Sequence, residues 1–459
     1  MTTHTLTRTL LLLAAGLATH ALAPDVVAAV TVDEARLLGS TLTEFGALQA
    51  GNADGSIPAY TGGLTQAPAG HKSGSGRWAD PYADEKPLYR IDSKNMAQYA
   101  DKLSDGQKHL LKTNPSYYLD VYPTHRSAAY PDKVLKATLR NATGCKLSPD
   151  GLAIDAACRG GLPFPIAKTG QELLWNQTMR YQGDTAVTTS QSRSWVVDSS
   201  GKPTMTSQQQ TLTDGVWYQT EVDDRDNTMA WRVYSVTTAP ARRAGEATGL
   251  IDYIDKPRKA WSYTPGQRRI KLSPEFAYDT PVASMGGVTL FDELFVFSGK
   301  MDRFDFKLLG TREMYLPYNA YKNVFGCPAP EVALGAKHAN PACERWELHR
   351  VNVVEATLKP GMRHAYSKRV YYLDEDLTGS AIYDAYDQAG ALYRTMFNGV
   401  IQLYDKKVPW AARHVIYDFN KGMYAYVNDV TFGGYLVQPK PKSERELNPE
   451  AIVAREIAR

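Results

Sequence analysis

Segments rich in β-branched and aromatic residues recur from about residue 186 almost to the end of the chain, and short turn signals separate them. This pattern predicts successive strands joined by tight turns. Because strand twist accumulates and sheet edges must be protected, so long a run predicts one large antiparallel sheet that curls. The predicted strands cover residues 186–198, 202–213, 228–238, 247–255, 259–264, 267–273, 303–309, 311–317, 345–358, 366–373, 379–388, 391–404, 412–419 and 423–431.

The fold class expected is mainly β, within α+β: a curved antiparallel sheet or half-barrel with covering helices and a loop-rich N-terminal arm. Capping residues predict a helix after Thr169, where Glu172 completes a capping box, and another after Ser443. A third helix, at residues 289–298, begins at Thr289 and carries a phenylalanine-rich apolar set. We expect this helix to cover the concave face of the sheet.

Three regions are expected along the chain. Residues 1–29 have a positive start, a short apolar run and small residues near Ala29, which predicts a signal peptide cleaved there and export of the mature chain. Residues 30–165 form an N-terminal arm followed by a helical and irregular region, with short helices at 31–39 and 93–112. Residues 166–459 form the curved sheet domain with its C-terminal helix.

The four cysteines fit an exported protein. Two close pairs are present, and each brackets a loop rich in Gly, Pro and Ala. Two local disulfides, Cys145 with Cys158 and Cys327 with Cys343, are the simplest of three possible connectivities. Neither pair has the C-x-x-C spacing that would favour a metal, so we expect no metal site.

The candidate ligand-binding residues surround the turn that runs from Trp261 to Ile270. Pro265 and Gly266 fit a type II turn, which would pair Trp261 with Ile270 and Tyr263 with Arg268 on one face. Such a patch is apolar, aromatic and cationic, and it suits a lipid-like molecule with an anionic or polar end. The residues predicted to bind it are Trp231, Tyr234, Trp261, Tyr263, Arg268, Arg269 and Ile270. For the tryptophans, burial in a filled core is the alternative to a position in a cavity wall.

Four segments of the chain stand out together: Gly51-Asn52-Ala53-Asp54-Gly55-Ser56-Ile57-Pro58-Ala59-Tyr60-Thr61-Gly62-Gly63, the turn at 263–269, Glu313-Met314-Tyr315-Leu316-Pro317-Tyr318-Asn319 and Arg345-Trp346-Glu347-Leu348-His349-Arg350. Together they resemble one exported Gram-negative family, domain of unknown function 1329, often labelled outer-membrane lipoprotein-sorting-like. The resemblance implies a half-barrel similar to LolA and LolB, closed by helices around a hydrophobic cavity. It also implies association with a resistance-nodulation-division exporter and an outer-membrane protein.

These observations favour a periplasmic carrier or chaperone that moves a hydrophobic, lipid-like ligand toward or across the outer membrane. The sequence contains no G-x-S-x-G, H-E-x-x-H or phosphate-binding glycine motif, so we expect no enzymatic activity and no cofactor. A net charge of +3 gives no indication of nucleic-acid binding. The alternatives are an enzyme acting on a hydrophobic substrate and a structural adaptor of an exporter.

Overall fold

The computed structural model describes residues 30–222 and 226–457, so the predicted leader, residues 1–29, lies outside the described residues. The strands are β1 (Tyr89–Ile91), β2 (Leu119–Val121), β3 (Val187–Val197), β4 (Pro203–Asp214), β5 (Met229–Ala239), β6 (Ala247–Tyr253), β7 (Lys259–Thr264), β8 (Arg269–Leu272), β9 (Phe304–Pro317), β10 (Trp346–Leu358), β11 (Lys368–Asp374), β12 (Gly379–Tyr386), β13 (Leu392–Leu403), β14 (Val408–Asp418), β15 (Met423–Asp429) and β16 (Leu436–Val437). The α-helices are α1 (Val32–Ala35), α2 (Asp105–Thr113), α3 (Asp132–Gly144), α4 (Gly170–Thr178), α5 (Glu444–Leu447) and α6 (Pro449–Ile457).

The strands form one large, curved, open sheet that is almost entirely antiparallel, which confirms the predicted fold class. One meander runs from β3 to β8 and a second runs from β9 to β15. The two join where β15 pairs with β3. The short strands β1 and β2 extend the sheet beside β10, and the single parallel pairing is between β2 and β10.

The connection between the two meanders, residues 273–303, is called here the crossing segment. It leads from β8, at one edge of the sheet, to β9, which lies beyond β10 at the opposite side. The prediction of a helix at 289–298 is wrong, because only a short 3₁₀ turn, Phe291–Glu293, forms there. Phe295 and Val296 have φ values of 57° and 81°, a left-handed conformation that ends any right-handed helix.

Several other helix predictions need correction. The helix predicted at 93–112 is divided into a 3₁₀ stretch, Met96–Lys102, and α2, because Ser104 in extended conformation starts a new helix with its own capping box. The helix α3 lies in a region predicted to be irregular. Of the helix predicted at 31–39, only α1 forms. The capping residues Thr169 and Ser443 do begin α4 and α5, as predicted.

Both predicted disulfides are present. Cys145 is bonded to Cys158, and Cys327 is bonded to Cys343. The second bond closes the loop between β9 and β10. Such bonds are typical of oxidising compartments. In the described part of the chain, no helix is long and apolar enough to cross a bilayer.

Candidate functional site

A cavity of about 110 Å³ lies between strands β3–β6 and the crossing segment. Hydroxyl-bearing residues of the strands form one wall: Thr189, Ser192, Thr211, Thr213, Ser235 and Thr248. Apolar residues of the crossing segment form the opposite wall: Val282, Met285, Phe291, Leu294 and Phe295. Trp410 and His414 of β14 close one side. The rest of this face is filled by the protein's own side chains, so the enclosed space is small.

Buried polar atoms of the cavity lining that have no hydrogen-bond partner among the described residues include the hydroxyl of Thr189, Nε1 of Trp410 and Nδ1 of His414. Burial and the nearby positive charge of Arg180 lower the pKa of the His414 imidazole to about 3. His414 is therefore neutral at physiological pH. A polar atom buried without a partner costs free energy, so the wall offers hydrogen bonds that a ligand could complete.

The crossing segment is fixed to the sheet just before Phe295 by a buried ionic network. His364 Nε2 lies 2.8 Å from Asp292 Oδ2, and Arg369 Nη2 lies 3.0 Å from the same oxygen. Burial alone would raise the pKa of the Asp292 carboxyl, but the positive charge of Arg369 and the hydrogen bond with His364 lower it to about 2. Next to it, the Tyr366 hydroxyl donates to the carboxylate of Glu293.

A second attachment lies at the two ends of the same segment. Arg258 forms a two-pronged ion pair with Asp252, donates to the carbonyl of Phe276 at 2.9 Å and donates to the hydroxyl of Ser298. Between these attachments, the Leu294 and Phe295 side chains meet the cavity through apolar contacts. The backbone carbonyl of Phe295 accepts a hydrogen bond from Gln177 Nε2, so the side chains of this short stretch, and not its backbone, are the part of the cover that can move at the smallest cost.

The predicted ligand-binding residues do not meet in this cavity. Trp231 lies on the face of the sheet that bears the cavity, and the Trp231 ring is 5.9 Å from the Phe295 ring. Tyr234, Trp261 and Tyr263 lie on the other face, where they form a buried cluster with Leu447, Ile452 and Val453 of the C-terminal helices, and Ile270 packs against it. A crevice of about 320 Å³ beside these helices is lined in part by Tyr234.

The predicted pairing at the turn is wrong. Trp261 pairs with Leu272 and Tyr263 with Ile270, because the turn holds four residues instead of two. The positive φ, 51°, falls on Arg268 and not on Gly266, so the turn is not type II. Arg268 therefore stands outside the pairing, and both Arg268 and Arg269 are exposed.

A second cavity, of about 150 Å³, is lined by apolar residues and by the carboxyl groups of Asp374 and Glu375. Burial raises the pKa of Glu375 to about 6 and, together with Asp376, raises that of Asp374 well above its usual range. These acids belong to a network that holds the N-terminal arm. Glu375 accepts from the backbone N–H of Leu48, and Asp376 pairs with Arg126 at 2.6 Å. The buried carboxyl groups of this second cavity are therefore explained by their role in holding the N-terminal arm, and we do not treat the cavity as a ligand site.

Sequence reasoning missed the residues that line the first cavity. Its strand wall has a readable signal, because Gln209, Thr211 and Thr213 alternate along β4 and Val233 and Ser235 along β5. Hydroxyl residues at alternate positions are typical of a solvent-facing side, and here that side is covered by the crossing segment. Phe295 was placed in a helix, while Arg180 and His414 carry no local signal.

The fold defines a class: proteins with a curved, open antiparallel sheet whose inner face is covered by an irregular connection. The profile of a protein family of unknown function, DUF1329, matches residues 90–452. The chain is 40% identical over 420 residues to the uncharacterized protein PA3922 of Pseudomonas aeruginosa, covering 89% of this chain and 90% of that protein. The chain belongs to the DUF1329 family, as its motifs predicted.

Two solved structures are similar at lower identity. A putative outer membrane lipoprotein-sorting protein domain from Vibrio parahaemolyticus is 15% identical, with a TM-score of 0.43, over 62% of this chain and 98% of that one. The LolA superfamily protein NE2245 from Nitrosomonas europaea is 11% identical, with a TM-score of 0.37, over 62% of this chain and 99% of that one.

Proposed function

We propose that this protein is a periplasmic carrier that binds a hydrophobic ligand between strands β3–β6 and the crossing segment. The observation that carries the proposal is the cavity with an apolar cover and a hydroxyl-bearing wall. Its lining residues include no carboxylate and no thiol within the described chain. Hydroxyls and a neutral imidazole favour binding over acid–base chemistry, so we do not propose an enzyme.

The size of the cavity limits what it holds when closed. An engineered apolar cavity of about 150 Å³ in another protein binds benzene, so about 110 Å³ admits a small ring or a few methylene groups. Each methylene group removed from water contributes about 0.8 kcal/mol. A longer acyl chain therefore requires the Leu294 and Phe295 side chains to move away from the sheet, and that movement would also release the ligand.

The compartment and the partners follow from the same proposal. The two disulfides fit the periplasm, where they form and persist. A carrier needs a donor and an acceptor, and the exporter and outer-membrane protein implied by the sequence resemblance remain predictions for those roles.

The test uses the neutral fluorophore N-phenyl-1-naphthylamine with the oxidised, purified protein, and this three-ring probe, like a long acyl chain, requires the Leu294 and Phe295 side chains to move. Ser235→Phe places a ring in the cavity wall, and Thr238→Phe is its control because Thr238 lies exposed on the same strand. We expect saturable 1:1 binding to the unsubstituted protein and to Thr238→Phe, and loss of binding in Ser235→Phe. Absence of saturable binding, or equal binding by both variants, would overturn the proposed function.

A further inference from the structure

Arg180 differs from every other buried arginine in the described chain. Its side chain follows α4 and is 7% exposed, yet no carboxylate lies within ion-pair distance of its guanidinium among residues 30–222 and 226–457. Each of the others contacts an acid: Arg126, Arg232, Arg258, Arg345, Arg350, Arg369, Arg394 and Arg413. A buried charge without a counter-charge is costly, and proteins pair such groups as a rule.

The contacts that Arg180 does make are all to neutral groups. Nη1 donates to the backbone carbonyl of Gln177 at 2.9 Å, and Nη2 donates to the side-chain oxygen of Gln182 at 3.1 Å. Burial lowers the pKa of the guanidinium to about 9, which still leaves it protonated at neutral pH. The site thus holds a fixed positive charge whose partner is absent from the described chain.

Phe295 connects this charge to the cavity. The Arg180 guanidinium lies 5.0 Å from the centre of the Phe295 ring, and that same ring lines the cavity. His414, with its free Nδ1 atom, lies 5.7 Å from the ring on the cavity wall. Displacement of one aromatic side chain would therefore open the cavity toward a buried cation and an unpartnered imidazole.

The backbone beneath this ring favours such a displacement. Phe295 and Val296 are consecutive residues with left-handed φ angles, 57° and 81°. This conformation is unfavourable for residues with a Cβ and most of all for β-branched valine. The strain is maintained by the ionic attachment at Asp292 and by Arg258 at Ser298, which flank these two residues.

We propose that the ligand is an anionic amphiphile, a carboxylate or a phosphate monoester with an apolar tail, whose head group pairs with Arg180. Phe295 is the gate that separates the head-group site from the tail cavity. The inference rests on the proposed function and narrows it to one ligand chemistry. His414 supplies a hydrogen bond to the head group, and the apolar side chains of the crossing segment contact the tail.

The test compares three ligands with the same tail: decanoate, decyl phosphate and neutral decanol. Each is titrated into the oxidised protein by calorimetry and by displacement of N-phenyl-1-naphthylamine. We expect the better anion to bind roughly tenfold or more tightly than decanol, because an ionised head group adds charge-assisted hydrogen bonds. The stronger of the two anions then identifies the head group.

The variants are Arg180→Gln and a matched control, Arg242→Gln, which removes an exposed arginine. Arg180→Gln should abolish the preference for the anion over decanol, while the control keeps the preference. Because the substitution removes an unpaired buried charge, the variant should melt no lower than the unsubstituted protein. Phe295→Ala should increase the association rate of all three ligands.

The outcomes separate the two proposals. If all three ligands bind equally, and Arg180→Gln changes nothing, the head-group assignment is wrong while the carrier proposal stands. If N-phenyl-1-naphthylamine and all three decyl ligands fail to bind, both are wrong. A preference for the anion that survives Arg180→Gln but disappears in Arg242→Gln would place the head group on the surface and overturn the assignment.

Discussion

Two neighbouring stretches of the crossing segment contact the sheet in different ways. At Asp292 and Glu293, buried carboxylates meet His364, Arg369 and the Tyr366 hydroxyl. At Leu294 and Phe295, immediately afterwards, the side chains face the cavity and form no ion pair, and the Phe295 carbonyl accepts one hydrogen bond, from Gln177. The first stretch is bound in a network where each charge has a partner, and the second lies beside an arginine that has none. The comparison shows that the crossing segment is fixed to the sheet at Asp292 and Glu293, and that this attachment leaves the adjacent Leu294 and Phe295 side chains as the movable part.

The largest effect is expected from Asp292→Asn. Removing one member of a buried ion pair leaves its partners uncompensated and costs about 3–5 kcal/mol of unfolding free energy. Denaturant titration measures it. The control is Asp305→Asn, because Asp305 is 72% exposed and 3.9 Å from Lys359, and exposed pairs contribute about 0–1 kcal/mol.

The same variant has a pH signature. The pKa of Asp292 is lowered to about 2 in the folded protein, below an unfolded value of about 4. The carboxylate therefore contributes its full stability above about pH 4 and loses it as the pH falls through about 2. The difference in unfolding free energy between Asp292→Asn and the unsubstituted protein should therefore decrease as the pH falls from about 4 to about 2. A gap independent of pH would contradict the ionic attachment.

A smaller effect is expected from Tyr366→Phe in the same network. Its hydroxyl donates to the Glu293 carboxylate and accepts from Arg394 at 3.0 Å, and loss of a hydrogen bond to a charged group costs about 1.5–3 kcal/mol. Tyr371→Phe is the matched control, because the Tyr371 hydroxyl is fully buried with no partner in the described chain. If Tyr366→Phe and Tyr371→Phe lower the unfolding free energy equally, the ionic network does not attach the crossing segment to the sheet.

The smallest effect, with the opposite sign, is expected from Thr189→Val on the cavity wall. The Thr189 hydroxyl is buried without a partner among described residues, so an isosteric apolar replacement should stabilise the protein by up to about 1 kcal/mol. Chemical denaturation of the ligand-free protein measures the change. If Thr189→Val instead destabilises the protein, the Thr189 hydroxyl already has a hydrogen-bond partner, and the cavity wall does not differ from the ionic attachment in this respect.

Local signals predicted much of this fold. The strands have a period of two, Thr169 and Ser443 cap helices, and close cysteines form bonds, because each of these depends on residues near in sequence. The register at Trp261 failed because Arg268, not glycine, adopts the left-handed conformation.

The cavity could not be predicted from the sequence. Its cover reaches it only because β9 pairs beyond β10, on the opposite side of the sheet from β8, and sequence spacing does not encode that placement. Arg180 likewise became informative only when its surroundings were seen to lack an acid. Neither the pairing of strands far apart in sequence nor the absence of an acid beside a buried arginine produces a periodic pattern in the sequence.

The pairing of β15 with β3 has a consequence for how the molecule is made. Synthesis runs from the N-terminus, so β3 acquires β4 early, whereas its other long neighbour is among the last segments to emerge. Until then, the backbone amides and carbonyls along that margin are available to any passing strand, a known route to aggregation. Contacts between such distant parts of a chain also slow folding. Newly made copies therefore benefit from being kept apart until their final third arrives.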